Sequence, residues 1–181
     1  MPFSVLSGNI GYINMLDAIN SWNLVSEVHH TTGHLCAASF KHTSPAGVSI
    51  ARDFLDIERE LCNVSEEEYC GLSDSAKAYI LARNVDPKSS FGDFVAVSGE
   101  VDISLARRLQ KEISDGIIAL SYTDDALEIL KTKKHGNYVI INNPVITEKD
   151  NDGIFSLPFS FFPFLFFPFH SVSFPLFISR E

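Results

Sequence analysis

Residues 35–47 read LCAASFKHTSPAG, a short apolar run that ends at a cation and an imidazole and then enters a turn-forming sequence. The run at 35–40 has the length and composition of a buried strand. The SPAG sequence at 44–47 predicts a type I turn, because Ser, Pro and Gly stand at positions that this turn prefers. We therefore expect regular strand geometry to end near His42.

Helical and strand-like patterns alternate on both sides of this segment. Further strands are predicted at residues 94–98, 117–121 and 138–141. Helices are predicted at 14–30 with Gly33 as the stop, at 51–62, at 73–83, at 104–113 with Ser104 as the cap, and from Thr123 to about 133. Strands that alternate with helices predict an α/β fold, with a mixed or mostly parallel sheet flanked by helices.

Composition excludes several classes of protein. The chain has 181 residues, 45% of them hydrophobic, and a formal net charge of -9. These values suit one globular domain and argue against a disordered or nucleic-acid-binding chain. The lysine run at 131, 133 and 134 is interpreted as solvated surface at a helix end.

Cysteine and histidine spacing gives no indication of a metal or a disulfide framework. The three cysteines, Cys36, Cys62 and Cys70, are odd in number and lack C-x-x-C spacing, which favours a reducing compartment. The N-terminal sequence has no signal-peptide pattern, so the cytosol is expected. His29, His30 and His34 fall at the polar end of a predicted helix and are interpreted as solvated, and the zinc signature of deaminases is missing.

The last part of the sequence differs in kind, and we place a boundary near residue 150. Residues 155–178 read FSLPFSFFPFLFFPFHSVSFPLFI. Four prolines argue against a membrane helix and a buried strand, although a membrane anchor stays as an alternative. Phe, Ser, Pro and Leu can all be encoded by pyrimidines alone. We therefore hypothesise that 151–181 is a translated polypyrimidine tract or gene-model artefact without evolved structure.

The Lys41–His42 pair is a candidate for acid–base chemistry. Neighbouring strand residues point to opposite faces, but irregular backbone after the strand can aim both side chains into one crevice. Strand ends of open α/β sheets commonly bind ligands. A neutral imidazole can accept a proton, and an adjacent ammonium disfavours the imidazolium and can stabilise an oxyanion. A solvated loop is the alternative that the dipeptide alone leaves open.

The LCAASFKHTSPAG segment resembles the AICAR transformylase domain of the bifunctional AICAR transformylase/IMP cyclohydrolase family. The blocks GYINMLDAINSW, SSFGDFVAVSGEVD, EISDGIIALSY and KTKKHGNYVI follow in family order, so the resemblance covers about residues 5–142. It implies part of a domain with a cytidine-deaminase-like layer architecture. The implied reaction is formyl transfer from 10-formyltetrahydrofolate to the 5-amino group of AICAR, in purine biosynthesis.

The resemblance also implies roles for individual residues. His42 matches the general base, and Lys41 matches the group that stabilises the transition state. Gly92, Asp115 and Asn14 match positions that hold the nucleotide. Each of these three also has a structural interpretation: close backbone packing at Gly92, a turn after a helix at Asp115, and a helix N-cap at Asn14.

The family further implies a cytosolic homodimer that uses reduced folate as co-substrate and no metal. The cyclohydrolase domain, an Arg-Tyr pair and the second lobe with most folate contacts are not found in this sequence. Two hypotheses therefore stand: a formyltransferase, or a catalytically silent nucleotide-binding or dimerising fragment of that enzyme.

Overall fold

A computed structural model of the chain describes residues 3–145. It contains the strands and helices that the sequence predicts, together with two edge strands and one short helix that were not predicted. The predicted tail at 151–181 lies outside the described residues. The elements in chain order are β1 (Ser4–Ser7), α1 (Tyr12–Thr32), β2 (Cys36–Lys41), β3 (Ser44–Ile50), α2 (Asp56–Leu61), α3 (Glu66–Cys70), α4 (Asp74–Asn84), β4 (Asp93–Val101), α5 (Ile103–Lys111), β5 (Ser114–Tyr122), α6 (Asp124–Thr132) and β6 (Val139–Asn142). A turn at Lys133–Gly136, in which Lys134 and His135 have positive φ, joins α6 to β6.

The six strands form one mixed sheet in the order β1-β6-β5-β4-β2-β3. Strands β4, β5 and β6 run parallel, whereas β2 is antiparallel to β4. The two edge strands, β1 and β3, pair antiparallel with β6 and β2. The predicted α/β class with a mixed sheet flanked by helices is therefore confirmed.

Helices cover both faces of the sheet, and each face has its own apolar core. On one face, Ala18, Trp22 and Val25 of α1 pack with Phe40 and its strand neighbours. On the other face, residues of α4, α5 and α6 pack on the alternate side chains of the same strands. Because β2 alternates between the two cores, Ser39 and Lys41 share the face opposite to α1.

Several predicted helix boundaries are confirmed. Gly33 ends α1 in the left-handed conformation, and its N–H donates to the His29 carbonyl oxygen. Ser73 and Thr123 cap α4 and α6 through their side chains. The cap assigned to Ser104 is wrong. The Asp102 carboxylate accepts from the Leu105 N–H at 3.1 Å and from the Ser104 hydroxyl, so the cap lies two residues earlier and α5 begins at Ile103.

The predicted helix at 51–62 is shorter than expected. Helix α2 begins only at Asp56, with Leu55 as its N-cap residue. The Leu55 N–H donates to the Glu58 carboxylate at 2.8 Å, which stabilises the start of the helix at this position. Among residues 3–145, no helix is both long and apolar enough to cross a membrane.

The type I turn predicted at 44–47 is wrong, because these residues belong to β3. The chain reverses at His42 and Thr43, and Lys41 pairs directly with Ser44. Pro45 is tolerated because β3 is an edge strand and bulges at this point. Gly47 serves close packing rather than a turn, since a Cβ there would lie 2.1 Å from the Ala82 carbonyl oxygen of α4.

Candidate active site

Lys41 and Gly92 meet at one edge of the sheet. The antiparallel pairing of β2 with β4 brings the end of β2 beside the beginning of β4. The half-buried Lys41 side chain donates from Nζ to the Phe91 carbonyl oxygen. A Cβ built on Gly92 would lie 3.5 Å from that Nζ, and Gly92 has φ +75°. The predicted close backbone packing at Gly92 is therefore wrong: within the described residues a Cβ there would meet the Lys41 side chain at ordinary contact distance, and it is the positive φ that favours glycine.

The sheet edge that carries the site differs from the one that the sequence suggested. In open α/β sheets, ligands usually bind at the carboxyl ends of the parallel strands. Here Lys41 lies beside the amino ends of β4 and β5, since Asp93 pairs with Ser114 at the start of both strands. The antiparallel direction of β2 causes this reversal.

His42 occupies the first position of a two-residue hairpin turn. His42 and Thr43 both have positive φ, +52° and +66°, as in a type I′ turn. The His42 side chain is exposed and lies next to Lys41 in sequence. Strand geometry therefore ends at Lys41, which confirms the prediction that it ends near His42.

Asp115 lies at the same edge, inside β5. The expectation of a turn after a helix is wrong, because Asp115 is the extra residue of a bulge that opposes Asp93 and Phe94. Its carboxylate pairs with the Lys134 ammonium. The Gly92 N–H donates to the Ile113 carbonyl oxygen at 2.9 Å, which ties the Gly92 loop to the beginning of β5.

Asn14 is the weakest member of the predicted set. It is not an N-cap, because α1 begins at Tyr12 with Gly11 as its cap. Asn14 is half-buried and lies three residues before Asp17, whose carboxylate reaches the hairpin turn. No hydrogen bond within residues 3–145 joins Asn14 to Lys41, Gly92 or Asp115. Asn14 therefore lies on the helix that reaches the turn, without a hydrogen bond to the other predicted residues in the described part of the chain.

A buried polar network beneath the edge was not predicted. Asp93 is fully buried and accepts from the Ser39 hydroxyl at 2.7 Å. Its Oδ1 lies 3.1 Å from Arg83 Nη1, an ion pair by distance that lacks hydrogen-bond alignment. Arg83 also donates to the Ser90 carbonyl oxygen at 2.7 Å and pairs with Glu112 at 2.9 Å. Burial raises the pKa of Asp93, and the Arg83 guanidinium opposes that effect.

The network joins β2, β4 and the loop before β4 directly below Lys41 and Gly92. A sequence signal existed, because Ser39 and Asp93 are polar residues inside or beside apolar strand runs. Buried polar groups in such positions need partners. Their partners, however, come from an element that sequence spacing does not associate with these strands.

Lys133 departs from the solvated role predicted for the lysine run. It is half-buried, and its Nζ donates to the Leu109 carbonyl oxygen at 2.7 Å and to that of Glu112. The ammonium lies 5.3 Å from the centre of the Tyr138 ring. Burial lowers the pKa of Lys133. Lys133 thus fastens the end of α5 to the segment before β6.

The remaining candidate groups for chemistry are cysteine and histidine side chains. Cys36, Cys62 and Cys70 are free thiols, and burial raises the pKa of Cys36 to about 12. The His29 ring bonds to the His34 carbonyl oxygen at 2.9 Å. Within the described part of the chain, no group of three or more His, Cys, Asp or Glu side chains is arranged to hold a metal ion.

Comparison with known proteins assigns the family. The sequence model of the AICARFT/IMPCHase bienzyme family matches residues 1–155. The chain belongs to the AICARFT/IMPCHase bienzyme family. This chain is 30% identical over 148 residues to the bifunctional purine biosynthesis protein PurH of Clostridium beijerinckii. The aligned region covers 81% of this chain and 24% of that relative. It is 28% identical to PurH of Clostridium perfringens, over 74% of the chain and 22% of the relative.

The chain thus spans about a quarter of the length of the curated relatives it matches. The AICARFT/IMPCHase match includes every residue of the candidate site, from Asn14 to Asp115. The family assignment is therefore established, and purine biosynthesis is the process named for its relatives.

Proposed function

We propose that the Lys41–His42 site transfers a formyl group from 10-formyltetrahydrofolate to the 5-amino group of AICAR. The observation that carries this proposal is the meeting of Lys41 and Gly92 at one sheet edge, with His42 in the adjoining turn and Asp115 nearby. The family match spans all four of these residues.

The proposed reaction needs a base and a positive charge together. The AICAR amine attacks the formyl carbon, and a new C–N bond forms while the bond from that carbon to the folate nitrogen breaks. His42 accepts the proton that the amine loses and returns it to the leaving nitrogen. The oxygen of the formyl group becomes negatively charged between these steps, and an ammonium beside it lowers the barrier.

The Lys41 geometry supports this role. An ammonium has three N–H donors, and one of them is used by the Phe91 carbonyl oxygen. That bond fixes the direction of the side chain and leaves donors for a ligand. Phe91 itself is 57% exposed, so the residue whose carbonyl oxygen holds Lys41 also presents an aromatic side chain to solvent. Such a ring can stack on a planar heterocycle of either substrate.

A second candidate function is nucleotide binding or dimerisation without turnover. It is favoured by the share of the relatives that the chain spans, 22–24%, because the family's folate contacts are expected outside this sequence. In either case we place the protein in the cytosol as a homodimer, without a metal. We also propose a cytidine-deaminase-like layer arrangement and a boundary near residue 150, followed by a tail without evolved structure.

The test uses the purified full chain in two assays, calorimetric titration with AICAR and formyl transfer with 10-formyltetrahydrofolate. Turnover that falls by about two to four orders of magnitude in His42→Ala supports the formyltransferase. Lys41→Ala is expected to be comparably damaging. His34→Ala, which removes an exposed imidazole elsewhere, is the control.

The two candidates differ in these assays. AICAR binding without turnover selects the silent fragment, and unchanged turnover in His42→Ala removes that residue from the role of base. If the wild-type chain neither binds AICAR nor turns over, and analytical ultracentrifugation finds it monomeric, both candidates are wrong.

A further inference from the structure

The turn that carries His42 has a backbone conformation that its own residues disfavour. Type I′ hairpin turns select Asn and Gly, because both central residues have positive φ. Here the two positions hold His42 and Thr43, with φ +52° and +66°. A β-branched residue such as Thr is a genuine outlier in this region. Interactions from elsewhere in the fold must therefore hold the turn.

Asp17 supplies such an interaction. The Thr43 N–H donates to Asp17 Oδ1 at 2.6 Å, across a sequence separation of 26 residues. Asp17 lies in α1 and is only 4% exposed. A hydrogen bond to an ionised carboxylate is stronger than one between neutral groups, and burial strengthens it further. The bond acts directly on Thr43, the β-branched residue of the turn.

Asp17 has no evident role in attaching α1 to the sheet. Ala18, Trp22 and Val25 already form the apolar contact of that helix. No ion pair within residues 3–145 includes Asp17, so its charge is not used against a cation there. A buried carboxylate is costly unless it is hydrogen-bonded. An apolar residue would therefore serve helix packing better, and the bond to Thr43 is the evident use of the carboxylate.

We infer that Asp17 is a positioning residue for His42: its carboxylate holds the His42–Thr43 turn in the left-handed conformation and so fixes where the imidazole stands relative to Lys41. The role of the turn in formyl transfer rests on the proposed function. The anchoring of the turn itself does not, and it can be measured separately.

The experiment compares four variants of the full chain. Asp17→Ala removes the acceptor, whereas Asp17→Asn keeps an oxygen that can accept from the Thr43 N–H. The double variant Asp17→Ala with Thr43→Gly removes both the anchor and the need for it, because glycine adopts positive φ freely. Ser21→Ala is the matched control, since Ser21 is buried in the same helix and its hydroxyl donates to the Ala18 carbonyl oxygen of that helix rather than to the turn.

Two readouts separate the inference from the proposed function. NMR measures the φ-dependent couplings of His42 and Thr43 and the exchange rate of the Thr43 amide. Turnover measures kcat and AICAR affinity. In Asp17→Ala we expect Thr43 exchange to rise at least about tenfold, the turn to leave positive φ, and kcat to fall about tenfold with AICAR affinity nearly unchanged. Asp17→Asn, Ser21→Ala and the double variant should stay close to wild type.

Three outcomes overturn the inference. The first is an unchanged turn in Asp17→Ala. The second is an altered turn with unchanged kcat in an active chain. The third is that neither Asp17→Ala nor the double variant with Thr43→Gly folds. Asp17 would then be needed for the stability of the whole fold rather than for the turn. If the wild-type chain has no turnover but Asp17→Ala still loses the turn conformation, the proposed reaction is refuted. The inference that Asp17 anchors the turn is then still supported.

Discussion

The Lys41 ammonium donates to the carbonyl oxygen of Phe91, a residue 50 positions away in the chain. This contact joins the end of β2 to the loop before β4 and places Gly92 directly under the lysine side chain. Predictions about the site therefore concern the loop at 90–93 as much as the Lys-His pair itself.

Gly92→Ala is expected to disturb the site beyond its effect on stability. Alanine at φ +75° costs about 1–2 kcal/mol, and its Cβ would lie 3.5 Å from Lys41 Nζ. We expect lower stability together with weaker AICAR binding, measured by thermal unfolding and calorimetry. Gly33→Ala is a matched control, because Gly33 has φ +71° with open space around it. Equal AICAR binding in the two variants would separate Gly92 from the ligand site.

Asp115→Asn should reduce AICAR affinity more than it reduces stability. The Asp115 and Lys134 side chains are 43% and 39% exposed, and an exposed pair of this kind contributes at most about 1 kcal/mol. If Asp115 holds the nucleotide, calorimetry should show about tenfold weaker binding, because Asn keeps one acceptor oxygen but loses the charge that strengthens the hydrogen bond. A variant that binds AICAR normally would limit Asp115 to its pairing with Lys134.

Arg83→Met is expected to destabilise the fold strongly. It leaves the fully buried Asp93 without its cation, and breaking a buried pair costs about 3–5 kcal/mol. The free energy of unfolding from urea titration gives the measure, and Arg107→Met on the exposed side of α5 is the control. Adding Asp93→Asn should restore part of the loss, since the unpaired charge is then gone. If the free energy of unfolding is not restored in the double variant, the fold needs Arg83 for a reason other than the charge of Asp93.

Cys36 should resist thiol reagents, and it should make the fold sensitive to alkali. Burial raises its pKa from 9.0 to about 12, so the unfolded chain releases this proton at lower pH than the folded one. The folded state therefore binds more protons between these values, and its stability falls as pH rises from about 9 towards 12. Cys36→Ala should remove that part of the pH dependence.

Labelling of the three thiols at neutral pH checks the same point without unfolding. The exposed Cys70 should react quickly, and Cys36 only when the chain opens. Rapid labelling of Cys36 in the folded protein would contradict its burial.

Local signals determined most of the secondary structure. Ser73, Thr123 and Gly33 are residues whose side chain or lack of one stabilises a helix end directly, so their positions could be predicted. The SPAG sequence misled because the same residues serve an edge strand with a bulge and a close contact with α4. Turn propensity is a local preference, and packing against another element outweighed it.

The sequence by itself determined the α/β class, the Lys41–His42 pair and, through its motifs, the family. Only the tertiary structure decided which sheet edge carries the candidate site, and that Asp93, Arg83 and Asp17 make their buried contacts next to it. The physical reason is that strand direction and buried polar pairing are long-range properties. The residue pattern of a strand does not specify whether it runs parallel or antiparallel to its neighbours. A buried carboxylate can bind a group that is distant in sequence, as Asp17 binds the Thr43 N–H 26 residues away.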